Sequence, residues 1–114
     1  VPATAPPTRG LRREARLFLT AFLAYEVGNL GPGLAHQLRA TSSPSFHHEL
    51  LTDRPDPAAP SAPAKLTRLS VIVLSRRPPR ALVSGSARRR GGSEEFAFLF
   101  ERRGGRWLAA GAAE

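Results

Sequence analysis

The chain is 114 residues long and carries 17 basic against 9 acidic side chains, a net charge of +8. That is the length of one domain, and with 41% hydrophobic residues it is not a disordered one. No cysteine is present, which excludes a disulfide framework, thiol catalysis and cysteine-ligated zinc.

Val1-Pro2-Ala3-Thr4-Ala5-Pro6-Pro7-Thr8 reads as a stiff linker (residues 1–8) ahead of a single domain over residues 9–114. A Pro/Ala/Thr stretch of this kind commonly separates a membrane anchor from a folded domain, and the chain opens on Val1 in the manner of one trimmed after a removed segment. The expectation is an extracytoplasmic domain, membrane-anchored or secreted. The longest apolar run, Leu17 to Tyr25, is interrupted by Thr20 and falls far short of the about 20 residues a bilayer span needs.

Thr8 is placed to cap a first helix whose apolar positions, Leu11, Ala15, Phe18, Leu19, Phe22 and Leu23, follow helical spacing. Arg9, Arg12, Arg13 and Arg16 occupy its other side, and Gly28-Asn29 with Gly31-Pro32-Gly33 ends it. Leu34 to Ala40 is a short second helix. Ser43-Pro44 starts a third through Phe46, Leu50 and Leu51, with serine as cap and proline at the first helical position. Asp53 to Pro63, with prolines at 55, 57, 60 and 63, is a loop. Leu66 to Leu74 is rich in leucine and β-branched residues, and is expected to be a strand buried on both faces. Arg76-Arg77-Pro78-Pro79 turns the chain into a strand over Ala81 to Arg88, in which Gly85 marks a bulge or bend. After Arg90-Gly91-Gly92-Ser93, Phe96, Phe98 and Phe100 alternate with Ala97 and Leu99, and Gly104-Gly105 makes a hairpin into Arg106 to Ala110.

Three helices followed by a four-stranded meander predict an α+β fold, with the helices on one face of a curved antiparallel sheet in a cone-like arrangement. A two-residue loop at Gly104-Gly105 sets Arg103 opposite Arg106 and Arg102 opposite Trp107. Phe96, Phe98, Phe100 and Trp107 then share a face, for which Phe18 and Phe22 offer cover. This order of elements, and the ending Phe98-Leu99-Phe100-Glu101-Arg102-Arg103-Gly104-Gly105-Arg106-Trp107-Leu108, resembles the nuclear transport factor 2-like (cystatin-like) superfamily over about residues 8–112. The resemblance implies a noncatalytic extracytoplasmic interaction domain of a bacterial membrane-anchored or secreted protein, of the kind found in envelope or transfer assemblies. Its partner would be a protein or an anionic envelope component, and a homodimer is compatible with it. The competing expectation is a domain that binds, or less readily converts, a small hydrophobic molecule in the cone.

The candidate pocket residues are Tyr25, Glu26, Phe96, Phe98 and Trp107. Of the nine carboxylates none is assigned to the aromatic face of the sheet, and Glu26 at the helix end is the one singled out. His36, His47 and His48 lack the spacing of a metal site, so neither a metal nor another cofactor is expected. Gly91-Gly92 and Gly104-Gly105 are hairpin turns without a following helix, not phosphate loops. The phenylalanines alternate with apolar residues rather than basic ones, which disfavours a nucleic-acid stacking platform. Alternate turns of a meander share one end of the sheet. Arg76, Arg77, Arg80, Arg102, Arg103 and Arg106 should therefore gather there as candidates for an anionic partner, with Arg88-Arg89-Arg90 at the other end.

Overall fold

The computed structural model describes residues 10–53, 63–89 and 91–113. The linker over residues 1–8, Thr8 and Arg9, Arg90, and most of the proline-rich loop lie outside the described residues. Helices α1 (Leu11–Glu26), α2 (Pro32–Ala40) and α3 (Pro44–Thr52) precede strands β1 (Lys65–Arg76), β2 (Pro79–Arg89), β3 (Gly92–Arg103) and β4 (Arg106–Ala112). The strands form one antiparallel sheet in the order β1-β2-β3-β4, curled but not closed, and the helices pack against it, an α+β fold.

The helix boundaries follow local chemistry. Gly10, at φ 82°, occupies the N-cap of α1, so the helix starts two residues after the Thr8 cap expected from sequence. A left-handed residue at that position suits glycine, which has no Cβ to clash. α2 begins at Pro32, whose fixed φ and missing N–H fit the first turn. At α3 the Ser43 hydroxyl accepts the Phe46 N–H at 3.3 Å, and Pro44 follows it, as the sequence indicates.

α1 crosses the sheet from one end to the other. Its apolar stripe of Leu11, Ala15, Phe18 and Leu19 is fully buried. The Phe18 ring meets Phe98 and Phe100 edge-on at 5.0 and 5.8 Å between centroids. Arg103 pairs with Arg106 and Arg102 with Trp107, the expected two-residue hairpin register. Ion pairs hold both ends of α1: Glu14 to Arg106 at 3.4 Å, and Glu26 to Arg89 at 3.6 Å. Residues 41–43 flank β4, where the Ser43 N–H donates to Ala109 O at 2.7 Å and the Ala109 N–H to Thr41 O at 2.8 Å.

β1 departs from expectation. It is an edge strand, not one buried on both faces, and Ile72 and Leu74 are each 55% exposed. The helices cover only one side of the sheet, so alternate side chains of β1 face outward whatever their hydrophobicity. Gly85 keeps regular pairing, and the register shifts between β1 and β2 fall at Leu66/Arg68 and Val73/Ser75 instead, so its distinction is close approach. It pairs with Leu69 and Phe96, and a Cβ there would lie 2.5 Å from the Arg68 carbonyl oxygen and 2.9 Å from the Phe96 ring. Absence of a side chain at Gly85 lets the Phe96 ring lie across β2.

Candidate binding cleft

β3 is longer than β4. The two pair only from Phe98 onward, where Phe98 faces Ala112, and beyond that the Ala113 N–H donates to Ala97 O at 2.9 Å. Over Gly92–Phe96 the sheet therefore has no fourth strand, and the last turns of α1 and α3 close over the gap. The result is an open cleft of about 530 Å³. α1 contributes Phe22, Tyr25 and Glu26, and α3 contributes Phe46, Glu49, Leu50 and Asp53. β3 supplies Glu94, Glu95, Phe96, Ala97 and Phe98, while Ala112 and Ala113 close the far side.

Four of the expected pocket residues, Tyr25, Glu26, Phe96 and Phe98, line this cleft. Trp107 does not. It is 1% exposed and fills the core with Phe100 and Ala109, because it pairs with Arg102 beside the Gly104-Gly105 hairpin, whereas the cleft lies at the far end of β3, past Phe98. Tyr25 is a wall more than a free phenol: its hydroxyl donates to the carbonyl of Leu50, with Asp53 O at 3.3 Å, tying the end of α1 to the end of α3.

The carboxylates are the main correction to the sequence reading. Glu94 stands two residues before Phe96, so in a strand it shares the aromatic face, contrary to the assignment of no carboxylate there. Parity alone would have found it. Glu49, three residues beyond Phe46 on one face of α3, and Asp53, the residue that caps its C-terminus seven beyond, were equally legible.

Glu26, Glu94 and Arg89 form a compact group. Arg89 pairs with Glu94 at short range, while its Nη2 lies 3.6 Å from Glu26 Oε1. That Oε1 is buried and has no hydrogen-bond partner among the described residues. Burial, and then the neighbouring Glu94 carboxyl, push the Glu26 pKa up to about 7, against the pull of Arg89. Glu95 has Arg68 at 3.8 Å, whereas neither Glu49 nor Asp53 is ion-paired with a described residue.

A carboxyl that titrates near neutrality on an apolar wall can move a proton. Among the described residues no serine, threonine, histidine or lysine lines the cleft beside it. Among the described residues no group of three or more histidine and carboxylate side chains is placed to hold a metal ion. None of His36, His47 and His48 lines the cleft; partial burial, followed by the charge of Arg39, lowers the His47 pKa. No described helix is long and apolar enough to cross a membrane.

At the opposite end of the sheet the β1–β2 and β3–β4 turns do lie together, since Arg80 pairs with Glu101 across β2 and β3. Glu101 holds Arg80 at 3.4 Å and Arg103 at 3.0 Å, and Glu14 holds Arg106. Arg76, Arg77 and Arg102 form no ion pair with a described residue. Of the Arg88-Arg89-Arg90 group, Arg89 is committed to the cleft carboxylates. No family model, curated protein or solved structure matches the chain.

Proposed function

We propose that this chain is a noncatalytic binding domain whose working part is the cleft, and that it takes a small molecule with a large apolar body. One observation carries the reading: five aromatic side chains, Phe22, Tyr25, Phe46, Phe96 and Phe98, line an open space of about 530 Å³. That is within the size range of small-molecule sites, and the described lining holds no serine, threonine, histidine or lysine beside the titrating carboxyl. An unfilled cone supports the small-molecule reading over pure protein contact. The likeness to nuclear transport factor 2-like domains belongs to the same proposal, supported by the order of helices and curled sheet, as does the extracytoplasmic setting, for which the support is the Pro/Ala/Thr stretch of residues 1–8. The test is NMR with apolar fragments. Perturbations confined to Phe22, Phe46, Phe96, Phe98 and their neighbours, lost in an Ala112→Trp variant that narrows the cleft and still folds, are expected. Fragments that perturb only the outer face of the sheet would overturn it.

A second reading concerns an anionic partner, a protein or an envelope component. Its support is the set of three guanidinium groups, Arg76, Arg77 and Arg102, that no described carboxylate neutralises at the end of the sheet remote from the cleft. Guanidinium groups of this kind are suited to paired bonds with carboxylate or phosphate.

A further inference from the structure

Resting on the reading of the cleft as a small-molecule site, we propose that its ligand is an organic cation, a protonated amine carried on a flat or branched apolar body. Five of the chain's nine carboxylates, Glu26, Glu49, Asp53, Glu94 and Glu95, line this one cleft of a protein whose net charge is +8. Among the described residues no basic residue lines it. Arg89 and Arg68 offset Glu94 and Glu95 from outside the lining, which leaves Glu49 and Asp53 uncompensated by any described residue.

The backbone adds the same sign. α1 ends at Glu26 and α3 at Thr52, both at the cleft, and neither has a basic residue in its last turn. Helix C-termini carry partial negative charge that favours a cation nearby. The floor suits the rest of such a ligand. The Phe22 and Phe98 rings, with centroids 4.8 Å apart, and Phe96 beside them offer apolar area and negative ring faces, which attract ammonium groups. A neutral or anionic apolar molecule would use the floor but would leave the carboxylates unpaired or repelled. A bare metal ion finds no converging set of ligands among the described residues.

Glu26 makes the binding pH-sensitive. Its carboxyl faces Glu94 on β3 and Arg89 on β2, and shares the cleft with Glu49 and Asp53 on α3 and with Glu95. An ammonium lodged there favours the charged carboxylate, so binding releases a proton and tightens as pH rises through about 7.

The probes are three matched molecules, naphthylethylamine, naphthylethanol and naphthylacetate, titrated by calorimetry with NMR mapping of the site. The amine should bind about tenfold more tightly than the alcohol, and the carboxylate most weakly. Between pH 6 and 8, on either side of the Glu26 value of about 7, amine affinity should rise while alcohol affinity stays level. Glu26→Gln should remove that pH dependence, and Glu49→Gln, an exposed change that spares the fold, should reduce the preference for amine over alcohol. Equal binding of amine and alcohol in the cleft would overturn the cation and leave the small-molecule site standing. Failure of all three probes to perturb the cleft would overturn both.

Discussion

Removing the Phe98 ring tests the packing on which fold and cleft both depend. Phe98 is 4% exposed and stands among four rings, Phe22 at 4.8 Å, Phe18 at 5.0 Å, Phe96 at 6.1 Å and Phe46 at 6.2 Å between centroids. Truncating a buried phenylalanine to alanine costs about 3–5 kcal/mol, most where the void cannot collapse or fill with water. Phe98 lines the cleft, so its void opens outward and Phe98→Ala should cost about 3 kcal/mol. Phe100 is fully enclosed, and Phe100→Ala should cost about 4–5 kcal/mol. With a urea slope of about 1–2 kcal/mol per molar for a domain of this size, the Phe98 change moves the unfolding midpoint by about 1.5–3 M. Chemical denaturation followed by tryptophan fluorescence reads this directly, because Trp107 is 1% exposed in the folded protein. A loss below about 1 kcal/mol at Phe98 would show that α1 does not cover the sheet face. A Phe98 loss larger than the Phe100 loss would refute the open cleft.

Gly85→Ala should destabilise by about 1–3 kcal/mol, since its Cβ would meet the Arg68 carbonyl oxygen at 2.5 Å and backbone cannot step aside cheaply; Gly111→Ala, with nothing within 4 Å, should be neutral or slightly stabilising in a thermal melt. The Glu26 pKa lies above its ordinary 4.5, so the folded state holds a proton that the unfolded chain releases. Wild-type stability relative to Glu26→Gln should therefore be level below pH 4.5, fall as pH rises to about 7, and stay lower beyond it. With a carboxyl side chain 27% exposed, a deficit of about 1–3 kcal/mol is expected in denaturation curves across pH, and a constant difference would remove the buried-carboxyl assignment. Changing Arg77 and Arg102 together to glutamate should abolish low-salt binding to anionic vesicles or acidic proteins; an equal loss from reversing two exposed arginines elsewhere, such as Arg13 and Arg16, would mean diffuse attraction only.

The fold was legible where a local signal coincided with what packing required. The helical stripe of α1, the Ser43 cap, the period of two through Phe96, Phe98 and Phe100, and the Gly104-Gly105 register each follow from a rule that involves a few neighbouring residues. The exposed side of β1 was not legible, because an apolar run carries no record of whether a second layer will cover it. Trp107 shared the predicted face of the sheet, but it pairs with Arg102 beside the hairpin, whereas that face opens only past Phe98, where β4 runs out. Glu94 was missed although its parity with Phe96 was plain in the sequence. Its significance lies in the approach of Glu26 from an element 68 positions earlier, a contact that no local pattern encodes.

The net charge of +8 describes neither end of the molecule. α1 runs from the arginine-rich turns, where Glu14 meets Arg106, to the acidic cleft, where Glu26 meets Arg89. A helix of 16 residues at about 1.5 Å each separates those ends by about 24 Å. At physiological salt the screening length is about 8 Å, so charges at one end act weakly at the other. The cleft therefore presents its own carboxylates and helix termini to a ligand, and the arginine end presents its own unpaired guanidinium groups. The turn arginines Arg76, Arg77, Arg80, Arg102, Arg103 and Arg106 stand about three screening lengths from the cleft and oppose positive charge there only weakly, while Arg68 and Arg89, which are close to it, are each paired with a carboxylate.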